Sequence, residues 1–226
     1  MNTESDAIPE LPTLEPGLTL VETDTAHRVP LQSLAVDRLL LESGSAIWVG
    51  TGRHCTTDSL AEIVPDRRVL DRIDVARGFT SYQHTALIGA LPAQVDEGTA
   101  VIVLPELDAR YRDDDVQGGD GRTMLTRALA QLAGVARAHE IPVLCTRTQA
   151  DQFADPVEAA ATRIIQFCET PMGPRFVGDE FQTLVYPLEG ELVQTTLAFW
   201  QDVLQARQPL HDTATVPREV VASGPN

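Results

Sequence analysis

The segment from Leu18 to Leu31 has the layout of a phosphate-binding element and lacks the groups that grip a phosphate. The apolar run from Leu18 to Glu22 predicts a strand, and Leu31, Leu34, Ala35 and Leu39 follow at helical spacing. A strand, a tight loop and a helix is the arrangement in which backbone N–H groups wrap a triphosphate. A lysine then neutralises the charge and a Ser or Thr hydroxyl ligates magnesium. Here the loop through Asp24, Thr25, Ala26, His27 and Arg28 contains neither glycine nor lysine. Arg28 keeps a positive charge in this loop without a lysine's geometry, and Val29 after it cannot ligate a metal. Thr25, Arg28 and Val29 are thus read as remnants of a nucleotide cradle.

A second group of candidate residues follows the apolar run Ala100-Val-Ile-Val-Leu104. Glu106 and Asp108 are carboxylates just past Leu104-Pro105. Arg110, Tyr111 and Arg112 place an aromatic ring between two guanidinium groups, which suits nucleic-acid backbone contact and base stacking. Asp113-Asp114-Asp115 could hold a divalent cation, but a solvated acidic loop is the simpler reading. His54-Cys55 could serve a metal or a nucleophile, but an exposed turn is the simpler reading. The cysteines Cys55, Cys145 and Cys168 form no CxxC pair and no ligand spacing, so no metal site is expected. Cys145 and Cys168 on strands read as small core residues, and Trp48 and Trp200 as core or interface residues.

The elements that must carry these residues alternate. Strands are expected at Leu18–Glu22, Ala46–Val49, Ile73–Phe79, Ala100–Leu104, Ile141–Thr146, Ile164–Cys168, Thr183–Tyr186 and Glu191–Thr195, the last three partly hairpin-linked. Helices are expected at Leu31–Glu42, with Pro30 in its first turn and Gly44 beyond its end, and over a short stretch ending at Ile63, capped by Thr57 or Asp58. Others should span Tyr82–Leu91, Arg122–His139 and Thr196–Arg207. In the fourth, Leu125, Leu129, Leu132, Val135 and Ala136 form one stripe. The stretch from Arg110 to Gly121 is polar and glycine-rich, and an exposed loop is expected. The alternation predicts an α/β, doubly wound, mostly parallel sheet. The core domain should span 16–208, between an acidic, proline-punctuated tail (1–15) and a second tail (209–226).

Composition narrows the function. The chain has 226 residues, a net charge of −16 and 43% hydrophobic content. Its 17 basic residues are all arginine. An acidic excess of this size repels phosphates, which argues against non-specific nucleic-acid binding. It fits a protein of a salt-rich, halophilic cytoplasm, or one that docks on a basic partner. The N-terminus has no apolar signal core and no run reaches membrane-spanning length, so a cytoplasmic protein without a membrane partner is expected.

Three stretches resemble the RecA/RadA recombinase ATPase core, especially its archaeal branch. They are Leu70-Asp-Arg-Ile-Asp-Val-Ala-Arg-Gly-Phe-Thr-Ser-Tyr-Gln-His84, the section Val101 to Thr146, and within it Ala136-Arg-Ala-His-Glu-Ile-Pro-Val-Leu-Cys-Thr146. In order and spacing the similarity covers roughly residues 16–205. It implies a RecA-like P-loop NTPase fold with antiparallel strands near the C-terminus. It also implies a DNA-facing role for the region of Arg110, Tyr111 and Arg112, and places Gln149 near a sensor and a second DNA loop.

The departures from that family fall on its catalytic positions. The glutamate that orients the attacking water after the second strand is absent from Gly50-Thr-Gly52-Arg53. The magnesium-holding aspartate is replaced by Leu104-Pro105, with Glu106 and Asp108 nearby. Together with the degenerate loop this predicts a pseudo-ATPase, because a preorganised charge clamp is most of phosphoryl-transfer catalysis. The expectation is a catalytically inactive RecA/RadA-like paralogue, regulatory or accessory in DNA recombination or repair. It would contact an active recombinase or itself, with weak DNA contact, no catalytic residues and no cofactor. The alternative is a divergent ATPase that uses ATP and Mg through Arg28, Glu106 or Asp108, or through a site shared between subunits.

Overall fold

A computed structural model of the chain describes residues 9–23, 29–52, 58–113, 116, 120–170, 173–179, 181–184 and 196–214. Eight strands form one sheet in the order β3-β2-β4-β5-β1-β6-β7-β8. They are β1 (Gly17–Thr23), β2 (Ser45–Gly50), β3 (Ile73–Arg77), β4 (Thr99–Leu104), β5 (Pro142–Cys145), β6 (Arg163–Thr170), β7 (Gly173–Val177) and β8 (Gln182–Leu184). The pairings from β3 across to β6 are parallel, and β6–β7 and β7–β8 are antiparallel. The fold is therefore α/β, with a mostly parallel sheet that ends in antiparallel strands near the C-terminus.

The sheet is covered on both faces, so its central strands are apolar throughout rather than alternating with polar residues. All six residues of β4 are buried. Val101 and Val103 pack into one core, and Ile102 and Leu104 into the other. Ala46 and Trp48 on β2 likewise face away from Ile47 and Val49. On the first face lie α1 (Val29–Leu41), α2 (Asp58–Ile63), α6 (Thr196–Ala206) and α7 (Gln208–Ala214). On the second lie α3 (Ser81–Gln94), α4 (Asp120–His139) and α5 (Asp155–Ala160). Each fully buried leucine, isoleucine or valine contributes about 1.5–3 kcal/mol of burial free energy. The continuous apolar strands are the main source of that term.

Local chemistry sets the ends of α3. Thr80 has extended backbone and its hydroxyl accepts from the Gln83 amide at 3.2 Å, while the Gln83 side chain accepts from the Phe79 amide at 2.9 Å. This reciprocal pattern is a capping box, shifted by one residue on its return arm. The expected stripe of α4 is buried at Leu125, Leu129, Leu132, Val135 and Ala136.

Several expectations need correction. The segment at the end of the supposed tail 1–15 is packed from Pro9 onward, with Leu11 and Leu14 in the core. Arg207 donates to the Pro9 carbonyl at 2.6 Å and Arg163 to the Thr13 carbonyl at 2.9 Å. Residues 209–214 of the supposed second tail belong to α7 (Gln208–Ala214). There His211 Nε2 lies 2.8 Å from Asp37 Oδ1, and Asp37 also receives both arms of Arg207 at 2.7 and 2.9 Å. The described domain thus runs from 9 to 214. Phe79 lies beyond β3 and is 65% exposed. The expected loop from Arg110 to Gly121 begins instead with a 3-10 turn (Ala109–Arg112) whose Tyr111 is buried. The short α5 and β7 were not anticipated. The expected strand at Glu191–Thr195, the end of the one at Thr183–Tyr186 and the cap at Thr57 lie outside the described residues.

Candidate functional site

Doubly wound sheets bind ligands beyond the carboxyl ends of their strands, at neighbouring strands whose connections leave to opposite faces. β1 and β5 are such neighbours: α1 covers one face and α5 the other. The crevice between their ends is framed by Glu22-Thr23 and Thr146-Arg147.

That crevice is occupied by the chain's own charges. Arg147 is 8% exposed and ion-pairs with Glu22. Its Nη1 also donates to Glu158 on α5 at 3.0 Å. The residues on either side of Arg147 bond instead to the loop after β4. Thr146 Oγ1 accepts from the Glu106 amide at 2.8 Å, and its carbonyl accepts from the Leu107 amide at 2.9 Å. Thr148 donates its amide to Asp108 Oδ1 at 2.7 Å and its hydroxyl to the same oxygen at 3.1 Å.

Asp108 is consequently sealed. It has no exposure, and its other oxygen takes a 2.6 Å hydrogen bond from Arg112 Nε. Arg112 then grips Asp151 with both terminal nitrogens, at 2.9 and 2.7 Å, and lies 4.6 Å from the centre of the Phe153 ring. The hydrogen bonds from Arg112 hold the Asp151 carboxyl well below the usual carboxylate range, and Asp151 and Asp108 push the Arg112 guanidinium up. Gln149 joins this lattice by donating to Asp151 at 2.6 Å. The loops after β4 and β5 are thereby locked to each other.

No protein-family profile matches this chain, and no curated protein matches it.

Among the residues singled out in the sequence, Thr25 and Arg28 lie outside the described residues, as do His54, Cys55, Asp114 and Asp115. Val29 is the first residue of α1, half-buried, and it packs against the core of that face. Glu106 has a left-handed backbone, φ 47°, at the corner after β4. Glu106 and Asp108 do sit at the carboxyl edge, on the loop tied to Thr146 and Thr148.

The pattern of an exposed aromatic between two free arginines is not met. Tyr111 is 1% exposed, because its ring fills the space between α3 and α4. Its hydroxyl lies 3.0 Å from His84 Nδ1, and Thr85 donates to it at 3.4 Å. Burial pushes the Tyr111 phenol up to about 12. Burial, with the charge of Arg110, pushes His84 down to about 4. Arg110 pairs with Asp113 at 2.8 Å, and its buried Nε has no partner.

The cysteines on strands are core residues at Cys145, where burial pushes the thiol up to about 12, and half-buried at Cys168. Trp48 and Trp200 are core residues, 3% and 0% exposed. Among the described residues no three His, Cys, Asp or Glu side chains gather as metal ligands, and no helix is long and apolar enough to cross a membrane.

Glu22, Arg147, Thr148, Asp151 and Glu158 were not singled out from the sequence. One signal was available: a glutamate ending an apolar strand, where a phosphate loop would place a glycine. Its partner lies 125 residues away, and nothing local pairs them.

Proposed function

We propose that the chain is a catalytically inactive RecA/RadA-like paralogue that serves as a regulatory or accessory binding protein in DNA recombination or repair. Its fold is read as that of a RecA-like P-loop NTPase. The resemblance in sequence suggests this, and the parallel sheet with terminal antiparallel strands is compatible with it. The observation that carries the functional reading is Asp108. It is the acidic residue best placed to hold magnesium through water, yet it is fully buried with both oxygens bound by the chain itself. A carboxylate so engaged has no free lone pair directed at solvent, and freeing it would break charge-assisted bonds. In the Glu22–Arg147 pair a guanidinium that could otherwise attract a phosphate is already neutralised by the chain's own carboxylate.

The partner on this reading is a protein: an active recombinase, or another copy of this chain. Subunits of that family stack head to tail, so an inactive copy could cap or modulate a filament. This step is analogy at the level of the fold. Any DNA contact is weak, since Arg110 and Arg112 are already paired and the surface is acidic.

Titration with a fluorescent ATP analogue and magnesium at high salt tests the first half. No saturable binding in the micromolar range is expected, and binding there would overturn the reading. Hydrolysis abolished by Arg28→Ala would establish the divergent ATPase instead. Co-purification from a native high-salt lysate tests the second half, with recombination proteins expected among the bound species.

A further inference from the structure

Glu22 is the penultimate residue of β1, just before the point where a phosphate loop would begin, and it meets Arg147 two residues beyond β5. A largely buried guanidinium at the mouth of a parallel sheet is a receptor for an oxyanion, since its planar donors match carboxylate and phosphate oxygens. Glu158 alone would leave it incompletely neutralised, because that carboxylate is 54% exposed and its attraction is weakened by solvent. Glu22 is the more enclosed partner, 26% exposed. Burying an arginine requires such a partner, because an unpaired charge there would be strongly destabilising.

We propose that Glu22 is a tethered anion. It fills an oxyanion site whose receptor is Arg147, and by doing so fixes the loops that follow β4 and β5. The ligand class is a carboxylate or phosphate oxyanion, and the chain supplies it covalently. The mechanism follows from the alternation along residues 146–148. Arg147 is anchored towards β1, while Thr146 and Thr148 hold the backbone of Glu106 and Leu107 and the carboxylate of Asp108. Fixing Arg147 therefore fixes the register of both neighbours. Through Asp108, Arg112 and Asp151 the same constraint reaches Ala154, whose amide donates to Asp151 at 3.2 Å. In a nucleotide-operated cleft such an arrangement would be conditional on bound phosphate. Here it is permanent.

The inference rests on the reading of this crevice as a former nucleotide site, but it is tested without nucleotide, so either can fail alone. Amide hydrogen exchange is compared between the full-length wild type and Glu22→Gln, which removes the charge at nearly constant size. The Leu107 and Thr148 amides should exchange about tenfold faster in the variant, while amides in the middle of α4 are unchanged. Inorganic phosphate should restore part of that protection in the variant, and chloride at equal ionic strength should not. Unchanged exchange at Leu107 and Thr148, a uniform rise across α4, or equal effects of phosphate and chloride would each overturn the proposal. Should Glu22→Gln fail to fold, Glu22→Asp keeps the charge and shortens its reach by one methylene. It should give faster exchange than the wild type in the same loops, and wild-type exchange there would overturn the proposal.

Discussion

His84 shows how strongly one buried side chain can couple this fold to pH. It is 1% exposed, and burial with the nearby Arg110 charge pushes it down to about 4 from an ordinary value of 6.5. The unfolded chain therefore binds this proton more tightly than the folded one. The stability from keeping His84 neutral is complete above pH 6.5 and is lost as pH falls from 6.5 towards 4. The gap is worth roughly 3 kcal/mol. His84→Gln removes the titration while leaving a polar group beside Tyr111. The difference in unfolding free energy between pH 7 and pH 4.5 should be smaller in the variant than in the wild type, as read by chemical denaturation. Equal differences would mean that His84 takes up its proton as readily in the folded protein as in the unfolded chain. Nothing in the local sequence marks this residue. A lone histidine on a helix gains its burial from Tyr111, 27 residues along the chain.

At the scale of elements, the strands and long helices were legible because each carries its own period. β4 is buried from end to end with β-branched Val101, Ile102 and Val103 at its centre, and α4 repeats leucine on one face. The N-terminal strap was not legible, because Pro9, Pro12 and Pro16 rule out the helix that the i, i+3 spacing of Leu11 and Leu14 would otherwise suggest, and two leucines make no longer pattern. Its attachment depends on Arg207 and Arg163, which come from the other end of the sequence. The short α5 and β7 were missed for related reasons. The first is six residues long, and the second contains Gly173 and Pro174, which local propensity disfavours in a strand. Leu14→Ala should cost about 2–5 kcal/mol in equilibrium unfolding. Thr13→Ala, at an exposed position of the same strap, should stay within about 0.5 kcal/mol. A loose tail would show no difference between them.

For the whole molecule, the question is which way salt moves stability. Exposed ion pairs such as Arg110–Asp113 and Arg163–Glu15 are weakened by salt, but each contributes little, about 0–1 kcal/mol. Against them stands the mutual repulsion within a chain of 33 acidic and 17 basic residues. Screening relieves that repulsion over the whole molecule as the Debye length falls from about 10 Å at 0.1 M to about 3 Å at 1 M. The deeper pairs do not offset this. Asp37 with Arg207 is 5% and 8% exposed, and such pairs are little screened. The repulsive term therefore wins, and the thermal midpoint should rise between low and molar sodium chloride. Chloride is the right anion for this measurement, because sulfate strengthens burial in any protein. A midpoint that fell with added chloride would mean that attractive surface pairs outweigh the repulsion. The acidic surface would then be read as shaped for a basic partner rather than for a concentrated salt solution.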